Sequence, residues 1–351
     1  MLLERTIERI RPLDRSSECA AQQRLDSLTK PQGSLGRLEE LALRIAVIQH
    51  KVPPQLGRKL LFIFAADHGI TAEGVSAYPK DVTVQMTYNF LNGGAAINVL
   101  ARHNGVDTEV VDIGVDHQFI ARRELRDCKV RRGTANFARG PAMTRAEALR
   151  CVEWGIQLAH EAAATNIFLL GAGEMGIGNT TSASAIVCAM TGAAPPDIVG
   201  RGTGIDDETL ARKITAVENG LRINSPDPSD PLDVLAKVGG LEIGAIIGVI
   251  IGATAFRLPM VLDGFISGAA ALLAYRFSPH VRDILFASHL SAEKGHRLVL
   301  DELHLDPLLD LGMRLGEGTG ACLAMGLIEA SVKLSREMAT FSSAGVKAQL
   351  T

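Results

Sequence analysis

The sequence predicts an α/β protein: a mainly parallel sheet, doubly wound by helices on both sides, with helical segments at the two chain ends. Three observations predict it. Hydrophobic residues make up 47% of the 351 residues but aromatics only 4%, so the apolar bulk is Ala, Leu, Ile, Val and Gly, the filling of helices packed on a parallel sheet. Short continuous apolar runs, as expected of strands buried on both faces, alternate with helix-like segments. Polar residues follow these runs directly, where ligands bind in open parallel sheets.

The first ~55 residues read as helices. In GSLGRLEELALRIAVIQH, Leu38, Leu41, Ala42, Ile45 and Ile48 recur at helical spacing, with Ser34 as a cap candidate. Pro53-Pro54 closes this segment, and KLLFIFAADHG opens the sheet. Further strand-like runs cover Glu109–Ile113, Ile167–Leu170, Pro259–Leu262 and Ile284–Ala287, with helix-like stretches at Val82–Arg102 and Thr180–Met190. The most apolar run, Ile243–Phe256, is shorter than the ~20 residues a bilayer needs. It reads as a buried Gly-rich helix or a helix–strand junction. From about residue 320 one long helix continues through Met338, with Leu323, Leu327, Ala330 and Leu334 on one stripe. The expected division is a small helical domain from residues 1–55 with about 320–351, and an α/β catalytic domain from 56–319.

A net charge of −3 supplies no field for nucleic acid or an anionic membrane surface. The five cysteines form no C-x-x-C and suit a reducing compartment. The start, MLLERTIERIRPLDR, is charged within four residues, unlike a signal peptide. A soluble, cytoplasmic protein is expected.

The polar residues behind the strands are Asp67-His68, Glu174, Asp263 and Ser288-His289, with Glu317 behind the short run MRL. They are expected to converge on one crevice. GAGEMGIGNTT (Gly171–Thr181) holds a G-x-G-x-x-G, but no acidic residue stands at a strand end about 20 residues on, as a dinucleotide fold requires. Its later half suits a monophosphate, held by backbone N–H groups with Asn179, Thr180 and Thr181 at a helix start. VGRGTGIDDE (Val199–Glu208) is a second Gly-rich turn, with Asp206 or Asp207 to cap the next helix, and Lys213 could reach a phosphate from that helix. With GGAAIN (93–98) these turns point to a phosphorylated ribose ligand. Asp67, His68, Asp112, Asp116 and His117 lack metal-ligand spacing, and no nucleophile elbow or P-loop is present. In MRLGEGTGACLAMGL, Glu317 lies among Gly316, Gly318 and Gly320. The helix dipole is expected to hold it as an anion ready to accept a proton, the glycines leaving room for a flat ring against the backbone.

As a set, LTKPQGSLGRLEELA, ADHGITAEGVSAYPKDVTVQM, GAGEMGIGNTTSASAIV, DVLAKVGGLEIG, VLDGFISGAAALLA, SHLSAEKGH and MRLGEGTGACLAM resemble the nicotinate-nucleotide–dimethylbenzimidazole phosphoribosyltransferases of cobalamin biosynthesis. The resemblance spans nearly the whole chain. It implies a Rossmann-like sheet with a small domain built from both chain ends, a homodimer and no cofactor. It also implies transfer of the 5-phosphoribosyl group of nicotinate mononucleotide to 5,6-dimethylbenzimidazole or a related base, giving nicotinate and α-ribazole 5′-phosphate. By position in the family motifs, Glu317 is the base and Glu174 its catalytic companion. Gly176, Asn179, Thr180, Gly202, Thr203, Gly204, Lys213, Gly264 and Ser291 would hold the donor. Tyr78, Pro79, Met86, Met175 and Leu315 would line the acceptor pocket; Tyr78 and Met86 depart from relatives with Ser and Gln there. The competing expectations are another ribosyl transfer or phosphorolysis on a nucleotide, and a nucleotide-binding protein without turnover.

Overall fold

The computed structural model describes residues 1–202 and 204–347. Among them, six parallel strands form one sheet in the order β3-β2-β1-β4-β5-β6. They are β1 (Arg58–Ala66), β2 (Val106–Gly114), β3 (Leu125–Asp127), β4 (Ile167–Met175), β5 (Met260–Leu262) and β6 (Leu285–Ala287). The winding reverses between β1 and β4, so a crevice opens there at the carboxyl ends. Ile63 pairs with Gly173 and Phe64 with Glu174, which sets Glu174 at the tip of both strands.

The helices are α1 (Leu2–Ile7), α2 (Glu18–Asp26), α3 (Arg37–Gln49), α4 (Val82–Leu91), α5 (Ala96–Asn104), α6 (Arg145–Ala163), α7 (Asn179–Thr191) and α8 (Pro195–Ile198). There follow α9 (Asp207–Asn224), α10 (Pro231–Val238), α11 (Leu241–Ala255), α12 (Phe265–Phe277), α13 (His296–Leu303), α14 (Thr319–Glu337) and α15 (Phe341–Ala344). They cover both sheet faces: Leu61–Ala66 of β1 and Ile167–Glu174 of β4 are buried without a break. That burial is why these strands read as continuous apolar runs rather than alternating ones.

Five sequence expectations change. β4 runs past Leu170 through Met175, because Gly171 and Gly173 look like turn residues yet are strand residues with other chain segments pressed on them. β3 is a short edge strand with no apolar run to announce it. The stretch expected as one helix from 82 to 102 is two, parted at Asn92–Gly94, where Gly93 turns left-handed (φ +76°). The cap of α3 is Gly36, not Ser34, and the Leu35 N–H donates to Glu39 Oε1 at 2.9 Å. MRL (313–315) lies outside any strand or helix.

The apolar run at 243–256 is a helix: α11 is buried from Leu241 through Thr254. It crosses α6 at glycines, where a Cβ on Gly248 would lie 2.0 Å from the Val152 carbonyl oxygen and one on Gly155 2.0 Å from that of Ala245. The helices touch backbone to backbone. Near the chain ends, Leu25, Leu28 and Ala42 form a small apolar cluster with Leu43 and Met338, and Leu28 bridges to Thr340. α3 also sends Leu41, Ile45 and Ile48 into the main core. No helix among the described residues is long and apolar enough to cross a membrane.

Candidate active site

The tips of β1, β4, β5 and β6 carry Asp67-His68, Glu174-Met175, Asp263 and Ser288-His289, as the strand pattern predicts. One cleft is lined by Glu174, Met175, Gly176, Asn179, Thr180, Gly202, Asp263, Gly264, His289, Ser291, Glu293, Arg314, Leu315 and Gly316. It joins a smaller hollow of about 40 Å³ that shares Gly176, Asn179, Thr180 and Gly202 and adds Arg201 and Lys213. The expected donor residues Gly176, Asn179, Thr180, Gly202, Lys213, Gly264 and Ser291 are thus brought together. Gly204 is exposed beside the Arg314 guanidinium, and Thr203 lies outside the described residues.

Lys213 is buried, its Nζ donating to Thr180 Oγ1 at 2.8 Å and to the Gly200 carbonyl at 3.1 Å. Burial lowers its pKa to about 8, the Glu293 carboxylate opposing the shift. The folded chain therefore holds fewer protons than the unfolded chain between pH 8 and the ordinary lysine value of 10.5. Burying the ammonium costs its full amount of stability below pH 8, and that cost fades as pH rises toward 10.5. The positive charge offered to a phosphate is half lost at about pH 8 and falls away above it. Lys213→Met should lower kcat/KM for the donor by at least about tenfold near neutrality, the scale of one charge-assisted contact. It should also abolish the decline of kcat/KM above pH 8, read from steady-state pH profiles.

Glu317 stands on a turn whose three residues are all left-handed: Gly316 (φ +84°), Glu317 (φ +62°) and Gly318 (φ +89°). The turn crosses β4 so closely that a Cβ on Gly173 would lie 2.3 Å from the Glu317 carbonyl carbon. The three glycines answer the packing of the turn itself. A Cβ on Gly316 would lie 2.4 Å from Glu174 Oε1, one on Gly318 2.7 Å from the Leu61 side chain, and one on Gly320 2.0 Å from the His289 ring. Protein fills the side on which each Cβ would stand, and Gly316 also borders the cleft.

The expected dipole anchor is also different. The N-terminus of α14 is taken by Asp263: Oδ2 accepts the Gly318 N–H at 3.1 Å, and Oδ1 accepts those of Gly320 at 2.8 Å and Ala321 at 3.0 Å. Glu317 Oε2 instead accepts the Ile97 N–H at 3.2 Å, at the start of α5. GGAAIN thus presents an N–H to a carboxylate of the protein. Burial raises the Glu317 pKa, with the Ile97 N–H opposing it. That moves the carboxylate toward the range of a useful base.

Glu174 lies beside this turn, and the Asn179 amide donates to its Oε2. Burial first, then Asp263, Glu242 and Glu317, push its pKa well above the carboxylate range, so Glu174 is the member of the cluster that keeps a proton. Below it, His68 Nε2 meets Glu242 Oε1 at 2.6 Å and His68 Nδ1 meets Ser182 Oγ at 3.1 Å. This buried contact ties the tip of β1 to α7 and α11.

Of the five expected acceptor residues, Met175 and Leu315 line the cleft. Tyr78 and Pro79 instead line a second cavity of about 510 Å³ with Asp67, Lys80, Asp116 and Arg132. Met86 is half-buried against the main core. Sequence reasoning did not assign Arg314 or Glu293 to the site. Arg314 lies two residues before the glycine turn, and its Nη1 donates to the Gly202 carbonyl at 2.6 Å, which only the folded chain reveals. Asp263 and His289 had the strand-tip signal, but Asp263's partners lie 55 to 58 residues away along the chain.

A family model described as "Phosphoribosyltransferase" matches residues 10–346. The nicotinate-nucleotide–dimethylbenzimidazole phosphoribosyltransferase of Geobacter sulfurreducens is 59% identical over 98% of this chain and 98% of its own. The protein of the same name from Geotalea uraniireducens is 55% identical over 98% of both. The crystal structure of the Thermus thermophilus enzyme superposes with a TM-score of 0.90, 49% identity, and coverage of 96% of this chain and 100% of that one. The chain belongs to the nicotinate-nucleotide–dimethylbenzimidazole phosphoribosyltransferase family.

Proposed function

We infer that this enzyme transfers the 5-phosphoribosyl group of nicotinate mononucleotide to 5,6-dimethylbenzimidazole, giving α-ribazole 5′-phosphate and nicotinate for the lower-ligand nucleotide of cobalamin. The observation that carries the chemistry is the pair Glu174 and Glu317: both are buried, they adjoin at one strand tip, and Glu174 is the more strongly proton-holding. Carboxyls held apart in this way take different roles. Glu317 takes the proton of the acceptor's N–H while the other ring nitrogen bonds to C1′. The C1′–N bond to nicotinate breaks, its electron pair stays on the pyridine nitrogen, and β becomes α. Glu174, protonated and steadied by Asn179, offers a hydrogen bond to the ribose.

Lys213, Gly176, Thr180, Gly202, Thr203, Gly204, Gly264 and Ser291 are assigned to the donor. Lys213 within reach of Thr180 and the Gly202 turn supports a phosphate there. Met175 and Leu315, with Tyr78, Pro79 and Met86, are assigned to the acceptor side on the strength of the family motifs. The chain-end helices are read as a small unit, supported by the cluster around Leu28 and Met338. A cytoplasmic homodimer completes the reading.

Incubation of the protein with nicotinate mononucleotide and dimethylbenzimidazole should release nicotinate and give a product with the mass of α-ribazole 5′-phosphate. Turnover only when phosphate replaces the base would make it a phosphorylase, and binding without turnover would remove the enzymatic reading.

A further inference from the structure

We propose that Asp263 is a positioning residue for this transfer: its carboxylate, by accepting three backbone N–H groups around the start of α14, holds the left-handed turn from which Glu317 acts. The proposal rests on the reading of Glu317 as base.

Three features lead to it. A non-glycine residue in the left-handed region costs about 1 kcal/mol or more and persists only where its surroundings over-determine it. Thr319 contributes only local bonds to the turn, its N–H and hydroxyl both reaching the Gly316 carbonyl. The side chain that reaches the turn from another strand tip is Asp263. Second, it is buried and, among the described residues, faces no Lys, Arg or His within ion-pair distance. N–H groups occupy both oxygens, so it is equipped to hold backbone rather than to touch substrate. Third, the Ser288 hydroxyl donates to its carbonyl at 2.6 Å, which locks the tips of β5 and β6 under the same turn.

Glu174 faces Asp263 from β4, Glu317 from the turn, Cys322 from α14 and His289 from the segment after β6. Burial keeps the Cys322 thiol protonated and lowers the His289 pKa, so the facing charges are carboxylates. Burial, opposed by the three N–H groups and aided by Glu317, pushes the Asp263 pKa to about 7. The Glu317 pKa is set by burial and the Ile97 N–H rather than by Asp263.

Asp263→Asn keeps one oxygen and turns an NH₂ toward a backbone N–H. The expected result is a kcat loss of roughly tenfold to a hundredfold, within what general-base positioning supplies. Donor KM should change less than about threefold, and the acid limb of the acceptor kcat/KM profile should stay in place, because burial and the Ile97 N–H set the Glu317 pKa. The double variant with Glu317→Gln should be no slower than Glu317→Gln alone, because the two act as a unit. If Glu317→Gln is slow while Asp263→Asn keeps the parental rate, the proposal fails and the base assignment stands. If Glu317→Gln is itself fully active, the underlying reading fails. Hydrogen exchange on the unaltered protein needs no variant. The N–H groups of Gly318, Gly320 and Ala321 belong to a helix start, where amides have no intrahelical partner. Protection at all three is expected, and fast exchange there would overturn the proposal.

Discussion

Glu317→Gln should lower kcat by roughly 10²–10⁴-fold, the usual worth of a general base, and leave donor KM within about threefold, since the lost step is proton transfer rather than binding. Gln is the informative replacement because its amide oxygen can still accept the Ile97 N–H that now meets Oε2 at 3.2 Å. The turn and its left-handed backbone stay, and only proton affinity goes. Because burial raises the Glu317 pKa, the unaltered enzyme should lose activity toward acid above the pH at which an ordinary carboxylate titrates. That acid limb should vanish from whatever activity the variant retains. A variant within tenfold of the parent would take the base role from Glu317.

Gly248→Val should cost about 3 kcal/mol or more of folding stability, the upper range for overpacking a tight core. The first added carbon would lie 2.0 Å from the Val152 carbonyl oxygen and 2.8 Å from the Gly155 α-carbon, all backbone. No rotamer change relieves it, so α6 and α11 must move apart along a crossing that lies in the main core. The urea unfolding midpoint should fall with little change in its slope, since the area exposed on unfolding stays nearly the same. An unchanged midpoint would mean that the crossing is loosely packed.

How far these features were legible depended on where each residue's partner lies in the chain. Leu61–Ala66 announced a strand because burial on both faces leaves only apolar side chains. Gly171–Met175, the other half of the crevice, did not: its glycines are set by α14 and the Glu317 turn, residues more than 140 positions later. The run 316–320 was recognisable as a site, but the packing its glycines serve was not. Their empty faces answer Glu174, Leu61 and His289, neighbours that no local pattern shows. Asp206 was a nearby case and came out as expected, its side chain capping the Thr209 N–H of α9. GGAAIN looked like a ligand cradle because a helix start attracts any anion, and the folded chain supplies one of its own.

Asp263 and Glu317 raise the proton affinity of Glu174, and Glu317 raises that of Asp263, with no ion-pair partner for any of the three among the described residues. On the proposed reading, a pyridine ring bonded to C1′ is a pyridinium, and it brings a positive charge to carboxyls that have none beside them. Cleavage of that bond returns the ring to neutrality and leaves nicotinate as an anion next to the same carboxyls. The reaction itself would thus remove the charge that favoured binding and help its by-product to leave.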